Sequence, residues 1–178
     1  MGLRGTVRAS TAAVVFLSVG LLLLTMLQPG AVASSPLTAT DGSPLQVPDG
    51  PTVFRAAWRG LPVLVFKVPH SDLPEEGTPT VDVPGEQGLR LFAVSAKSTY
   101  LGCTVGYVPL HGPRYVSSDG IVPRLIMDPC HHGRWDPFRS GEPIPGGPAP
   151  ARLPLLDAHF VDGVLVATGY DGPIGPQR

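Results

Sequence analysis

The hexapeptide Asp128-Pro129-Cys130-His131-His132-Gly133 places a thiol directly before two imidazoles and two residues after a carboxylate. Thiolates, imidazoles and carboxylates are the side chains that hold transition-metal ions, so the segment raises the question of a metal site. The chain has only two cysteines, Cys103 and Cys130, and for such a pair in an exported protein a disulfide is the ordinary expectation. Consecutive residues of a strand point to opposite faces, so Cys130, His131 and His132 do not converge easily on one ion. A mononuclear site on Asp128 and His131, with Tyr100 or His111 joining, stays open. His70, His111 and His159, taken singly, carry no functional signal. No serine stands in a G-x-S-x-G elbow, no paired carboxylates share an obvious site, and no glycine-rich phosphate cradle follows a strand. The chain is therefore not expected to be catalytic by itself.

The elements that must position these residues are short strands. With 178 residues the chain is expected to fold as one domain plus an appendage, and its formal charge of -1 with 15% charged residues provides no basic stripe for nucleic acid. Glycine and proline, 22 of each, are dispersed among valine-rich runs without a period, which suits a turn-rich β protein. Runs at 52–58, 62–68, 90–95, 121–127, 152–156 and 164–168 read as strands, and Asp162-Gly163 between valines is the signature of a two-residue type I′ hairpin. Residues 69–88 read as a long surface loop. At the N-terminus Arg4 and Arg8 precede a strongly apolar stretch at 12–27, and Ala31-Val32-Ala33 offers a small-x-small cleavage site. Residues 1–33 are read as a retained membrane anchor, with a cleaved signal segment as the alternative. Both put the remainder outside the cytoplasm. A flexible tether is expected at 34–50, the folded domain at 51–170 and a tail at 171–178.

Two segments together carry a resemblance. S-T-Y-L-G-C at 98–103 resembles the first box of Rieske domains, C-T-H-L-G-C, and D-P-C-H-H-G-R-W-D at 128–136 resembles the second, C-P-C-H-G-S-x-Y-D. W-R-G-L-P-V-L-V-F at 58–66 is similar to a strand pair of the Rieske subunits of quinol:cytochrome c reductases, and G-G-P-A-P-A-R-L-P at 146–154 is similar to their proline loop, here Gly147, Pro148, Ala149 and Pro150. The resemblance covers about residues 52–169. It implies an all-β, antiparallel sandwich or small barrel with an inserted cluster-binding subdomain.

In that family a [2Fe-2S] cluster is held by two cysteines and two histidines. Carried over position by position, the four ligand places hold Ser98, Tyr100, Asp128 and His131, so His131 alone is retained. Cys103 and Cys130 fall on the family's disulfide positions, while Gly133 and Trp135 stand where a serine and a tyrosine hydrogen-bond the cluster. Taking the two cysteines as ligands instead would put Val105 and Gly133 at the histidine places. The expectation is thus no cofactor, although [2Fe-2S] belongs to the family. The resemblance further implies a scaffold or docking subunit of a respiratory complex with cytochrome b/c subunits as partners, Leu101, Gly102 and the proline loop forming the tip that in active members meets cytochrome b. The alternatives are an electron carrier holding a metal on His131 with Asp128, Tyr100 or His132, and a secreted binding module released after Ala33.

Overall fold

The computed structural model describes residues 33–74, 76–109, 115–117, 120–122 and 124–176. The expected anchor before residue 33, His111 and the last two residues of the tail lie outside them. Among the described residues thirteen strands follow in chain order: β1 (Ser35–Pro36), β2 (Thr52–Trp58), β3 (Leu61–Pro69), β4 (Val81–Asp82), β5 (Leu89–Ser95), β6 (Gly106–Val108), β7 (Tyr115–Ser117), β8 (Gly120–Val122), β9 (Leu125–Met127), β10 (Arg134–Asp136), β11 (Glu142–Pro143), β12 (Leu155–Val161) and β13 (Val164–Tyr170). Among the described residues there is no α-helix, and no helix is long and apolar enough to cross a membrane.

The main sheet runs β1-β13-β12-β5-β3-β2, with β4 also on β5. A second sheet, β11-β10-β9-β6, is inserted in the chain between β5 and β12, and β7 pairs with β8. Every pairing is antiparallel. Two hairpins set the register. Asp162-Gly163, with φ of 49° and 79°, joins the pair Val161 and Val164, and Arg59-Gly60, with φ of 50° and 75°, joins Trp58 and Leu61. Positive φ at both central residues gives the turn the twist that adjacent strands need, as expected for the first of these.

The apolar run of β3 is continuous because both of its faces are buried. Val63 and Val65 lie with Leu91, Ala93, Leu156 and Leu165 on one side. Leu64 and Phe66 lie on the other with Phe92, Val105, Ile126, Trp135 and Leu153, so the second core joins the main sheet to the inserted subdomain. Phe66 stacks on Phe92 at 4.8 Å between ring centroids.

Three expectations change in detail. The start of the 34–50 tether is part of the fold: Ser35 pairs with Ala167, Leu37 is buried beside Trp58 and Leu165, and the Trp58 indole N–H donates to the Ser35 carbonyl over 3.2 Å. One apolar residue in the right register suffices there, because the edge of β13 offers unpaired backbone groups. The loop at 69–88 contains β4 and buries Val83. The strands expected at 121–127 and 152–156 are broken or delayed, β8 ending at Val122 before Pro123 and β12 starting at Leu155 after Pro154, since proline has no N–H for the ladder.

Candidate functional site

Both boxes are loops at the end of the inserted subdomain. The first is closed by a bridge between Lys97 and Thr104 and by the Ser98 N–H donating to the Cys103 carbonyl at 2.8 Å, and Gly102 supplies the required φ of 77°. The second leaves β9 at Met127 and re-enters the sheet at Arg134, with the Asp128 N–H donating to the Gly133 carbonyl at 2.8 Å. Cys103 and Cys130 form a disulfide across the two loops with Cα atoms 6.5 Å apart.

Asp128 is the organising residue of the second box. Its Oδ1 accepts the N–H of Cys130 at 2.8 Å and of His131 at 3.2 Å, an Asx turn that fixes the backbone at both residues. Burial pushes its carboxyl up, but the bonds from the Cys130 N–H, the Ser98 hydroxyl and His131 outweigh this and hold it below the ordinary carboxylate value. Oδ2 is buried without a hydrogen bond of normal geometry and lies 3.5 Å from Nδ1 of His131. That same nitrogen is 3.8 Å from Sγ of Cys103. Tyr100 meets the imidazole edge-on, ring centroids 5.7 Å apart, and its N–H donates to the Ser98 hydroxyl at 3.1 Å. Ser98 itself is buried.

The structure therefore brings Ser98, Tyr100, Asp128 and His131 to one end of the domain, beside the disulfide. Cys103, Asp128, Cys130 and His131 each offer a donor atom, and these atoms lie within 4.8 Å of one another. His132, at φ 60°, is exposed and outside this group, and His70 and His159 stand on other elements.

The proline loop is anchored by contacts that sequence patterns do not reveal. Thr99 Oγ1 and the Trp135 indole N–H both donate to the Ala151 carbonyl, at 2.8 and 2.9 Å, and Arg134 donates to the Gly146 carbonyl at 3.0 Å. Ala149 packs against the core of the subdomain. A β-carbon on Gly133 would stand 2.7 Å from the Trp135 ring, so the large residue at 135 and the absent side chain at 133 are one packing solution. From the tail, Pro176 reaches the first box, its ring 3.3 Å from where a Gly102 β-carbon would be.

No family model matches the chain. It is 30% identical over 152 residues, 83% of this chain and 64% of the other, to a protein of Haloferax mediterranei described as a respiratory nitrate reductase Rieske subunit. It is 33% identical over 97 residues, 54% of this chain and 46% of the other, to the cytochrome b6-f complex iron-sulfur subunit of Trichodesmium erythraeum. The chain thus spans less than two thirds of the length of either relative. Among solved structures it is similar to the soluble domain of the Rieske protein II from Sulfolobus acidocaldarius, with a TM-score of 0.46 at 19% identity over 70% of this chain and 71% of that one.

These relatives overturn the expectation of no cofactor, because they are described as Rieske and iron-sulfur subunits, which points to a cluster-binding family. The donor chemistry of this chain nonetheless differs. A [2Fe-2S] core of the Rieske kind takes two thiolates and two imidazoles, whereas the positions that the resemblance matches to ligands carry a hydroxyl, a phenol, a carboxylate and one imidazole, and both sulfurs are joined to each other. The side chains as arranged do not fit that cluster.

Proposed function

Because the chain belongs to the Rieske domain family, we propose that it acts as the Rieske-type subunit of a respiratory electron-transfer complex, held at the membrane by its N-terminal segment with the folded domain outside the cytoplasm. Its contribution is to dock the stapled end of the inserted subdomain against a cytochrome subunit. The observation that carries this reading is the apex of the first box, where Leu101 is 57% exposed beside a disulfide and a loop pinned through Ala151. A large apolar side chain presented on a rigid loop is the form that interface anchors take. The Asp128 turn, the disulfide and the Thr99 bond keep that loop in place before contact, which lowers the ordering cost of association.

Affinity purification of the tagged chain from native membranes in mild detergent tests the proposal. Cytochrome subunits are expected to co-purify, and Leu101→Asp is expected to reduce their recovery about tenfold while leaving far-ultraviolet circular dichroism unchanged. Recovery of the wild-type chain free of any cytochrome would overturn the docking reading and favour the secreted module.

A further inference from the structure

We propose that reduction of the Cys103–Cys130 disulfide turns the end of the subdomain into a site for one divalent ion of zinc type, held by Sγ of Cys103, Sγ of Cys130, a carboxylate oxygen of Asp128 and Nδ1 of His131. Two sulfurs, one nitrogen and one oxygen form a tetrahedral donor set suited to zinc or ferrous iron, and unsuited to the hard ions magnesium and calcium. The four donor atoms already lie within 4.8 Å of one another. Oδ2 of Asp128 is the second observation. This atom is buried, has no hydrogen bond of normal geometry and faces Nδ1 of His131 at 3.5 Å. An ion between them would satisfy both. The Asx turn sets this convergence, because Oδ1 is occupied by the N–H groups of Cys130 and His131 and leaves Oδ2 for the ion.

The reaction balances with a dithiol as reductant. Its two thiols become a disulfide as the bond between Cys103 and Cys130 becomes two thiols, and binding of the ion then releases those two protons. Cys130 is exposed, so a reductant reaches it. Cα atoms 6.5 Å apart allow the freed sulfurs to turn to the separation of about 3.8 Å that two zinc-sulfur bonds of about 2.3 Å require. His131 must present Nδ1 unprotonated, with its proton on Nε2. This inference rests on the donor geometry and is independent of membership in a complex.

The test uses the full chain, reduced with dithiothreitol, desalted anaerobically and titrated with Zn²⁺ against a chromophoric chelator, with Co²⁺ as a second probe. One equivalent of zinc is expected in the reduced chain and none in the disulfide form, and Co²⁺ should give the intense near-ultraviolet band of thiolate ligation. His131→Gln and Asp128→Asn should each weaken zinc binding at least tenfold, and Cys103→Ser/Cys130→Ser should abolish it. Far-ultraviolet circular dichroism follows the fold throughout. Zinc binding equal in both redox forms, unchanged binding in the His131 and Asp128 variants, or no zinc at one equivalent in the reduced chain would overturn the proposal. Loss of the β spectrum on reduction alone would overturn it too, since the site requires the reduced fold.

Discussion

At the scale of single residues, the departures from the Rieske pattern are mutually adjusted. Asp128, at a position that the resemblance matches to a thiolate, is the acceptor that shapes its own turn. Trp135, matched by the resemblance to a tyrosine, covers Gly133 and bonds Ala151. Because that indole is fully buried and tied at its nitrogen, it cannot swing away from a new β-carbon at 133. Gly133→Ser is therefore expected to lower stability by about 1–3 kcal/mol, the usual cost of overfilling a packed site. Adding Trp135→Tyr frees the space, so the double variant should lose less than the sum of the two single losses. Urea denaturation of the four proteins measures that coupling, and strict additivity would show that the two positions are independent.

Among the elements, β3 decides most of the architecture. Its alternate residues feed two cores, one beneath the main sheet and one beneath the inserted subdomain. In the middle of that run Lys67 is fully buried, and its ammonium is paired with Glu86 and bonded to the Pro48 carbonyl. Glu86 also accepts the Gly50 N–H at 2.9 Å, so one ion pair holds the segment before β2 onto β3. The hydrogen bond from Lys67, followed by that from Gly50, holds the Glu86 carboxyl below its ordinary value of 4.5. A carboxyl depressed in the folded state contributes stability that is present above its unfolded value and is lost as the pH falls through the folded one. The wild type should therefore lose more stability below pH 4.5 than Glu86→Gln does, which urea midpoints across that range will show. Lys67→Met should be better tolerated than Glu86→Ala, because only the latter strands a buried charge. A larger loss in Lys67→Met would mean that the ammonium's bond to the Pro48 carbonyl outweighs the cost of the stranded charge.

On the scale of the whole molecule, one compact unit begins at Ser34, directly after Ala33. The tether expected at 34–50 is in part β1 and a buried leucine. Membrane fractions washed with alkaline carbonate should keep the chain in the pellet, and removal of residues 1–33 should move it to the supernatant. Release of the intact chain by carbonate, with a mature N-terminus at Ser34, would establish the signal segment instead.

Much of this was legible in the residues alone. The two boxes, the cysteine pair, the Asp162-Gly163 turn and the valine-rich strands are local patterns, and local patterns survive in sequence because they depend on neighbours a few positions apart. The all-β class and the register of the closing hairpin follow from them. Only the tertiary structure decided what the altered positions do. The hydrogen bonds from Thr99 and Trp135 to Ala151 span 52 and 16 residues, and the Glu86 tie to Gly50 spans 36. Asp128 stands in sequence as a lost ligand, yet its two oxygens take different roles, one closing a turn and the other facing His131 beside the disulfide. That distinction is one of direction in space, which packing of the subdomain on β3 and β5 sets and no spacing of residue types encodes.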